Sequence, residues 1–430
     1  MQRLTVHRSP PLRGQMRLPG DKSISHRALL LGALANGPSQ IGGFLDSGDC
    51  LATLACLGAL GIRIERHGRT TLTIHGQGLR RLQQPAAPLD CGRSGTTMRL
   101  LAGMLAGQPF TSSLTGDCQL LRRPMRRIAE PIRCMGGEIE TTDGHGPLTV
   151  RGRPLHGCEH CLPVASAQVK SALLLAGLYA DGPTTVHQPG PARDHTERML
   201  AEMGAAIQTV GLSVTLWPGR ALSSLSTQVP GDISAAAFPL VAAVLVPHSS
   251  ITLKGVGVNP TRTGLLDVLA AMGANISIDN QRTLGNEPLA DLTVRASELL
   301  GVEVRGETVV RLIDELPALA VAATQARGTT VVRDAAELRV KETDRIAALV
   351  AELRKLGACI DALPDGFVVE GPTPLHGVSV DSWGDHRLAM AMSIAGLVAR
   401  HGVCVENAQC INDSFPGFVE AMRGIGAAYD

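Results

Sequence analysis

Six times along the chain an apolar, helix-patterned run ends in a two-residue signpost whose second member is glycine: Leu60-Gly61, Met135-Gly136, Met203-Gly204, Met272-Gly273, Leu356-Gly357 and Ile425-Gly426. Successive signposts lie 75, 68, 69, 84 and 69 residues apart. Such an interval marks one supersecondary unit, of roughly 70 residues, copied six times. Each copy also opens its first helix on polar residues: Asp21-Lys22-Ser23, Arg93-Ser94-Gly95-Thr96, Ser166-Ala167-Gln168, Asp232-Ile233-Ser234, Asp314-Glu315 and Asp385-His386-Arg387. Helix N-termini offer unpaired N–H groups and a positive dipole end, so several of them facing one region favour anionic ligands. The chain reads as an anion binder.

Composition narrows the class. The 430 residues are 44% hydrophobic and 18% charged, enough to bury large cores in two or three domains. A formal net charge of +1 and only ten Phe, Trp and Tyr residues argue against a nucleic-acid partner. The longest wholly apolar stretch, Ala235 to Val246 with Pro239 inside it, is shorter than the ~18–20 residues a membrane-spanning helix needs, so no membrane association is expected. The start of the sequence reads as strand, Leu4 to Val6, followed by Pro10-Pro11, with neither a signal-peptide nor a transit-peptide pattern; a cytoplasmic protein is expected. The ten cysteines are scattered, and Cys56, Cys134 and Cys359 sit among apolar neighbours, which reads as reduced, buried thiols. The one cluster, His156-Gly157-Cys158-Glu159-His160-Cys161, lacks a second ligand pair at zinc-finger spacing and reads as an exposed loop rather than a metal site.

Within each unit the pattern runs helix, turn, strand, helix, then strand or hairpin. In the first, Ser25 to Ala35 is helical, Asn36-Gly37-Pro38 breaks it, Gln40 to Phe44 is strand-like, Cys50 to Leu60 is a second helix, and Arg63 to Glu65 alternates before a strand at Arg69 to Ile74. In the fifth, Ile346, Leu349, Val350, Leu353 and Leu356 fall on one helical face. Leu18-Pro19-Gly20-Asp21 is echoed by Val229-Pro230-Gly231-Asp232, which places a crossing at each Pro-Gly pair. The expected domains are therefore 21–229, an inserted unit, and 1–20 with 230–430, a discontinuous one, each holding three copies.

The opening motif from Leu18 to Leu29 sets Lys22 and Ser23 at a helix start with Arg27 one turn on, the combination a bound phosphate wants. It is not alone. Lys341-Glu342-Thr343-Asp344-Arg345 gathers two cations and two carboxylates before a helix, and Trp383-Gly384-Asp385-His386-Arg387 opens the sixth unit.

Taken in order, Pro19 to Arg27, Arg93 to Thr97, Arg123-Pro124, Ser166 to Lys170, Arg193 to Thr196, Lys341 to Arg345 and Asp385 to Arg387 resemble the 5-enolpyruvylshikimate-3-phosphate synthase family of enolpyruvyl transferases, over nearly the whole chain. The resemblance implies a mixed α/β fold: a two-domain, inside-out α/β barrel of six βαβαββ repeats, three per domain, with helices inside and sheets outward. It also implies transfer of the enolpyruvyl group of phosphoenolpyruvate to the 5-hydroxyl of shikimate 3-phosphate, on the route to chorismate and the aromatic amino acids, with no cofactor and no metal. A monomer working on these two small molecules is expected. By the same resemblance Asp314, Glu342 and Lys22 are the catalytic residues, as hydroxyl base, methylene proton carrier and cation at the departing phosphate. Lys22, Ser23, Arg27, Ser166, Gln168, Arg193, Asp314 and Lys341 match the shikimate 3-phosphate contacts. Lys22, Gly95, Arg123, Gln168, Arg345 and Arg387 match the phosphoenolpyruvate contacts. His386 fits either a catalytic role or one orienting its helix start.

The chain departs from common forms of the family at Arg93, Leu100, Ala167, Glu337 and Asp413, the last standing where some members carry a phosphate-facing lysine. Two rival readings have their own signals. Cys118, five residues before Arg123, resembles the spacing of a reactive cysteine in the sister transferase acting on UDP-N-acetylglucosamine; Ser23 after Lys22 and the Lys341 to Arg345 motif oppose it. A catalytically silent binder on the same scaffold predicts loss of the carboxylates, yet Asp314 and Glu342 are both present.

Overall fold

The computed structural model describes residues 2–430. At each of the six signposts the helix closes in the same way. Gly61, Gly136, Gly204, Gly273, Gly357 and Gly426 have φ between 85° and 96°, and the residue before each is the helix C-cap. In the first copy Gly61 N–H donates to Gly58 O at 3.0 Å and Ile62 N–H to Leu57 O at 3.0 Å. The same pair of bonds recurs in the other five, ending with Gly426 to Arg423 and Ala427 to Met422. This is the Schellman closure, which uses glycine because the left-handed backbone carries no Cβ penalty there. The C-cap carbonyl then accepts one further bond at 2.7–2.8 Å, from downstream Gln83, His156, Ser223, Leu300 and His376 in the first five copies, and from Arg13, near the start of the sequence, in the sixth. The beginning of the chain thus completes the last repeat.

Each copy builds its own small sheet. In the second, Leu89–Asp90 runs parallel to Thr111–Thr115, which pairs antiparallel with His145–Arg151, itself hairpinned to Glu138–Thr142. The third and fifth copies repeat this order. In the first, the leading parallel strand is Ser226–Gln228, from just before Pro230; in the fourth it is Arg13–Arg17, from just before Pro19. The sixth sheet has three strands, with Arg3–Val6 antiparallel to Val403–Glu406 and Ser379–Asp381 parallel to it. The mixed α/β plan of six copies is present, but the six sheets stay separate and no closed barrel forms among the described residues. The first, fourth and sixth sheets each complete their ladder with one strand from a distant part of the chain, Ser226–Gln228, Arg13–Arg17 and Arg3–Val6.

The chain divides into two compact units, Met1–Pro19 with Pro230–Thr283 and Pro288–Asp430, and Gly20–Val229 with Leu284–Glu287. Each has one hydrophobic core. In the second unit the cores of the copies are the helices Lys22–Leu34, Gly95–Leu105 and Ala167–Gly177, buried around nearly their whole circumference, with polar residues in their first turns and apolar ones beyond. Gly103 is where two of them touch: a Cβ there would lie 2.1 Å from Ala172 O. In the first unit Ile233–Leu245, Leu316–Gln325 and His386–Gly396 take the same place. Five of these six helices are capped by a side chain from the polar starts read in the sequence: Asp21, Ser94, Ser166, Asp232 and Asp385. The exception begins at Glu315, whose side chain makes no cap bond.

Local readings differ in places. The helix does stop before Asn36-Gly37-Pro38, but these residues already belong to the strand, which spans Asn36–Gly42 rather than Gln40 to Phe44. Asn36 and Gln40 donate N–H groups to Leu222 and Leu225 on the same side, and Pro38, which has no N–H, falls between those two bonds. The helix placed at Ser25 to Ala35 spans Lys22–Leu34. Cys134 and Cys359 are exposed, not buried. Cys134 is the last residue of its helix, and Cys359 opens a strand on which the next residue, Ile360, takes the inward face. Glu159–Cys161 is a strand rather than a loop, parallel to Thr184–His187. Among the described residues no cluster of three or more His, Cys, Asp and Glu could hold a metal ion, and no helix is long and apolar enough to cross a membrane.

Candidate active site

The second unit gathers its cations at the starts of its buried helices. Lys22, first residue of Lys22–Leu34, extends Nζ to Asp49 Oδ2 at 3.0 Å, from the first turn of the neighbouring helix Gly48–Ala59. Arg27, one turn further and 3% exposed, is fixed on three sides. Nε donates to Thr196 Oγ1 at 2.7 Å, Nη1 to Ser23 O at 2.9 Å and Nη2 to Ser171 Oγ at 2.8 Å. Arg193 Nη1 donates to Ser23 Oγ at 3.1 Å, so Lys22, Ser23, Arg27 and Arg193 form one cluster. A guanidinium held by three fixed acceptors meets an anion without further ordering of its side chain.

A second cluster surrounds Gly95. A Cβ at this position would lie 2.9 Å from Arg123 Nη1 and 3.0 Å from Arg99 Nη1, so glycine lets two guanidinium groups close over a helix start. Arg99 Nη1 also donates to Gln168 Oε1 at 2.5 Å, and Gln168 Nε2 donates to Thr96 Oγ1 at 2.9 Å. Because Arg99 can only donate, it fixes which end of the Gln168 amide is oxygen. Ser166 caps the helix that carries Gln168, accepting from Val169 N at 3.4 Å.

Behind these clusters runs a file of buried polar groups. His26 Nδ1 contacts Thr53 Oγ1 at 2.7 Å, Thr53 contacts Thr97 Oγ1 at 2.6 Å, and Thr97 donates to Ser94 Oγ at 2.7 Å. His26 is fully buried, and its Nε2 has no hydrogen-bond partner among the described residues. Burial first, then the nearby Lys22 and Arg27 cations, push its pKa down to about 3 against the opposing pull of Asp49, so the ring is neutral at ordinary pH.

The first unit carries the carboxylates. Arg345, 1% exposed, donates Nε to Asp385 Oδ2 at 2.7 Å, Nη1 to Asp314 Oδ1 at 3.2 Å and Nη2 to Glu342 Oε2 at 2.5 Å. Burial opposes its charge, but Asp385, Glu342 and Asp314 together raise its pKa above that of an ordinary arginine. Lys341 Nζ reaches Asp314 Oδ1 at 3.4 Å, Arg387 Nη2 lies 3.6 Å from Asp314 Oδ2, and Arg387 Nη1 donates to Asp314 O at 3.1 Å. Asp314 therefore sits among three cations. Asp385, wholly buried, also caps its helix by accepting from Arg387 N at 2.9 Å.

A family model described as EPSP synthase (3-phosphoshikimate 1-carboxyvinyltransferase) matches residues 6–422. The chain belongs to the EPSP synthase family. It is 52% identical over 424 residues to the 3-phosphoshikimate 1-carboxyvinyltransferase of Geobacter sulfurreducens, covering 98% of this chain and 99% of that protein. It is 51% identical over 418 residues to that of Geobacillus kaustophilus, covering 96% and 98%. The solved EPSP synthase of Acinetobacter baumannii superposes with a TM-score of 0.89 at 42% identity, covering 100% of this chain and 99% of that one.

Of the residues expected from the EPSP synthase resemblance, Lys22, Ser23, Arg27 and Arg193 are brought into one cluster, Gly95, Arg123 and Gln168 into another, and Asp314, Lys341, Glu342, Arg345 and Arg387 into a third. Arg93, one of the departures, turns to Gln119 Oε1 at 3.1 Å and Asp117 Oδ2 at 3.4 Å. Cys118 is exposed at the start of the short helix Cys118–Leu121. Sequence reasoning passed over Asp49 and Arg99 and read Asp385 only as part of a helix-start motif, yet each bonds directly to an expected site residue. Arg99 had a readable signal, since it lies four residues after Gly95 and so on the same helix face. The partners of Asp49 and Asp385 lie 27 and 40 residues away, and no local pattern announces those pairings.

Proposed function

We infer that this chain transfers the enolpyruvyl group of phosphoenolpyruvate to the 5-hydroxyl of shikimate 3-phosphate, releasing phosphate and forming 5-enolpyruvylshikimate 3-phosphate. The observation that carries the residue-level reading is the Asp314 carboxylate held among Lys341, Arg345 and Arg387, with Glu342 bonded to the same Arg345. Two carboxylates fixed by cations supply the two proton carriers that addition–elimination needs. Protonation of the phosphoenolpyruvate methylene by Glu342 makes the adjacent carbon cation-like. The 5-hydroxyl oxygen bonds to that carbon as Asp314 takes its proton. The tetrahedral adduct then loses phosphate beside Lys22, while Glu342 takes a proton back from the new methyl group.

Lys22, Ser23, Arg27, Ser166, Gln168, Arg193, Asp314 and Lys341 are assigned to shikimate 3-phosphate, and Lys22, Gly95, Arg123, Gln168, Arg345 and Arg387 to phosphoenolpyruvate. Two ligands bearing two phosphates and two carboxylates need fixed cations of this number. Residues 21–229, and 1–20 with 230–430, are proposed as the two domains, with cytoplasmic location and a monomeric state as part of the same proposal.

The test is phosphate release from phosphoenolpyruvate with shikimate 3-phosphate or UDP-N-acetylglucosamine as acceptor. Release with the shikimate alone is expected; release with the amino sugar alone would transfer the chain to the sister chemistry. Asp314→Ala is expected to keep shikimate 3-phosphate binding within about tenfold and to lose at least ~100-fold in turnover. Near-normal turnover removes Asp314 from the role of base.

A further inference from the structure

Of the three buried helices of the second unit that begin among the candidate site residues, two end at one cavity. Lys22–Leu34 runs out at Asn36, Gly95–Leu105 at Gly107, and Ala167–Gly177 at Leu178 and Tyr179. Around the first and third of these ends is a cavity of about 460 Å³, walled also by Leu79, Arg80, Arg81, Pro218 and Arg220. This volume lies within the ~300–1,000 Å³ of ordinary small-molecule pockets. At 1.5 Å per residue, the thirteen residues of Lys22–Leu34 separate it from Lys22 by about 20 Å.

Its charge is one-sided. Three arginines line it and no carboxylate does. Helix C-terminal ends carry partial negative charge that would repel an anion, and Arg80 covers them. It donates to Gly107 O at 3.4 Å and Tyr179 O at 3.3 Å, with its guanidinium 5.7 Å over the Tyr179 ring. The side chains of Arg81 and Arg220, in contrast, have no hydrogen-bond or ion-pair partner among the described residues. Leu79, Leu178, Ala180 and Ala221 complete apolar walls.

We propose that this cavity binds a small organic oxyanion, a carboxylate or phosphate on a compact apolar body, at a site separate from the catalytic residues. Arg81 and Arg220 take the charge, and the apolar wall beside Tyr179 takes the body. Binding is measured by isothermal titration of the full chain with phenyl phosphate, benzoate and, as neutral control, benzyl alcohol. At least one oxyanion is expected to bind saturably at one per chain while benzyl alcohol does not, and which of the two binds tells phosphate from carboxylate preference. The double variant Arg81→Gln with Arg220→Gln is expected to weaken that binding at least ~10-fold, the loss of charge-assisted bonds, and to leave enolpyruvyl transfer unchanged. Both positions are exposed, so the variant's fold is checked simply by its unaltered melting temperature. Four results overturn the proposal: no saturable oxyanion binding, equal binding of benzyl alcohol, undiminished binding in the double variant, or displacement of the bound probe by shikimate 3-phosphate.

Discussion

Asp385 is the carboxylate on which the first unit's charged cluster most depends. It is wholly buried, lies 2.7 Å from Arg345 Nε, and accepts the Arg387 N–H at 2.9 Å as a helix cap. Asp385→Asn keeps the shape and an oxygen for the cap but removes the charge. Breaking a buried ion pair from one side costs about 3–5 kcal/mol, because the remaining charge stays desolvated. Arg345 retains Asp314 and Glu342, which sets the expected loss at the low end, about 3 kcal/mol. Asp385→Ala also removes the cap, worth about 1 kcal/mol more. The chain's two tryptophans make the assay direct. Trp383 reports on the first unit and Trp217 on the second, so Trp217→Phe leaves a single reporter two residues from Asp385. With a urea dependence of about 2 kcal/mol per molar, a 3 kcal/mol loss moves the midpoint of the Trp383 transition down by about 1.5 M. A loss below about 1 kcal/mol for Asp385→Asn refutes the view that Arg345 is held mainly by this pair. Equal losses for Asn and Ala refute the separate cap.

Three further expectations follow from the same contacts. Gly357→Ala should destabilise by about 2 kcal/mol and Gly426→Ala by about 1 kcal/mol, read by urea denaturation. Both have φ above 90°, but only at Gly357 does a Cβ meet a side-chain carbon, His376 Cδ2, at 2.8 Å. His26 makes stability depend on pH. Its folded pKa of about 3 lies below the ~6.5 of an unfolded histidine, so the unfolded chain takes up a proton the folded one excludes. Its contribution is whole above about pH 6.5 and is lost as pH falls towards 3, reaching about 2 kcal/mol at pH 5. His26→Gln should therefore show a smaller drop in unfolding free energy between pH 7.5 and 5 than the parent, by about that amount; parallel pH profiles would contradict the assignment. Arg99→Met should free the Gln168 amide, raising KM for phosphoenolpyruvate at least ~5-fold while thermal stability stays within a few degrees; an unchanged KM removes Arg99 as the residue that orients Gln168.

Features set by the local chain could be read from the sequence, and features set by distant partners could not. A helix closed by glycine is a local event, so the spacing of Gly61, Gly136, Gly204, Gly273, Gly357 and Gly426 carried the six copies into the structure residue by residue. Capping by Asp21, Ser94, Ser166, Asp232 and Asp385 is local in the same sense. The start of the strand at Asn36 was hidden because its partners are Leu222 and Leu225, nearly 190 residues on, and Gly37-Pro38 gives a turn signal that this pairing overrides. Cys134 and Cys359 misled because apolar neighbours in sequence do not say which side of a helix or strand a residue takes. For the site, residue types at helix starts were legible, while the support that fixes them came from other helices: Thr196 and Ser171 for Arg27, Arg99 for Gln168, Asp385 for Arg345.

The same helix polarity serves the two units differently. In the second, the helices at Ser94 and Ser166 have neutral caps, and the cations gathered nearby, Lys22, Arg27, Arg99, Arg123 and Arg193, add to the positive dipole ends. That arrangement leaves positive potential for an incoming phosphate to neutralise. In the first, the helix starts carry Asp232, Asp314, Glu315 and Asp385, and the cations Arg262, Arg345 and Arg387 are bound to them: Arg262 to Asp232 at 3.1 Å, Arg345 to Asp385, Arg387 to Asp314. Here the dipoles and cations are spent on holding carboxylates in place. One repeated unit, copied six times, thus gathers cations at the starts of the second unit's buried helices, where Asp21 is the one acidic cap, and cation-held carboxylates at those of the first, an arrangement that suits the addition–elimination proposed above.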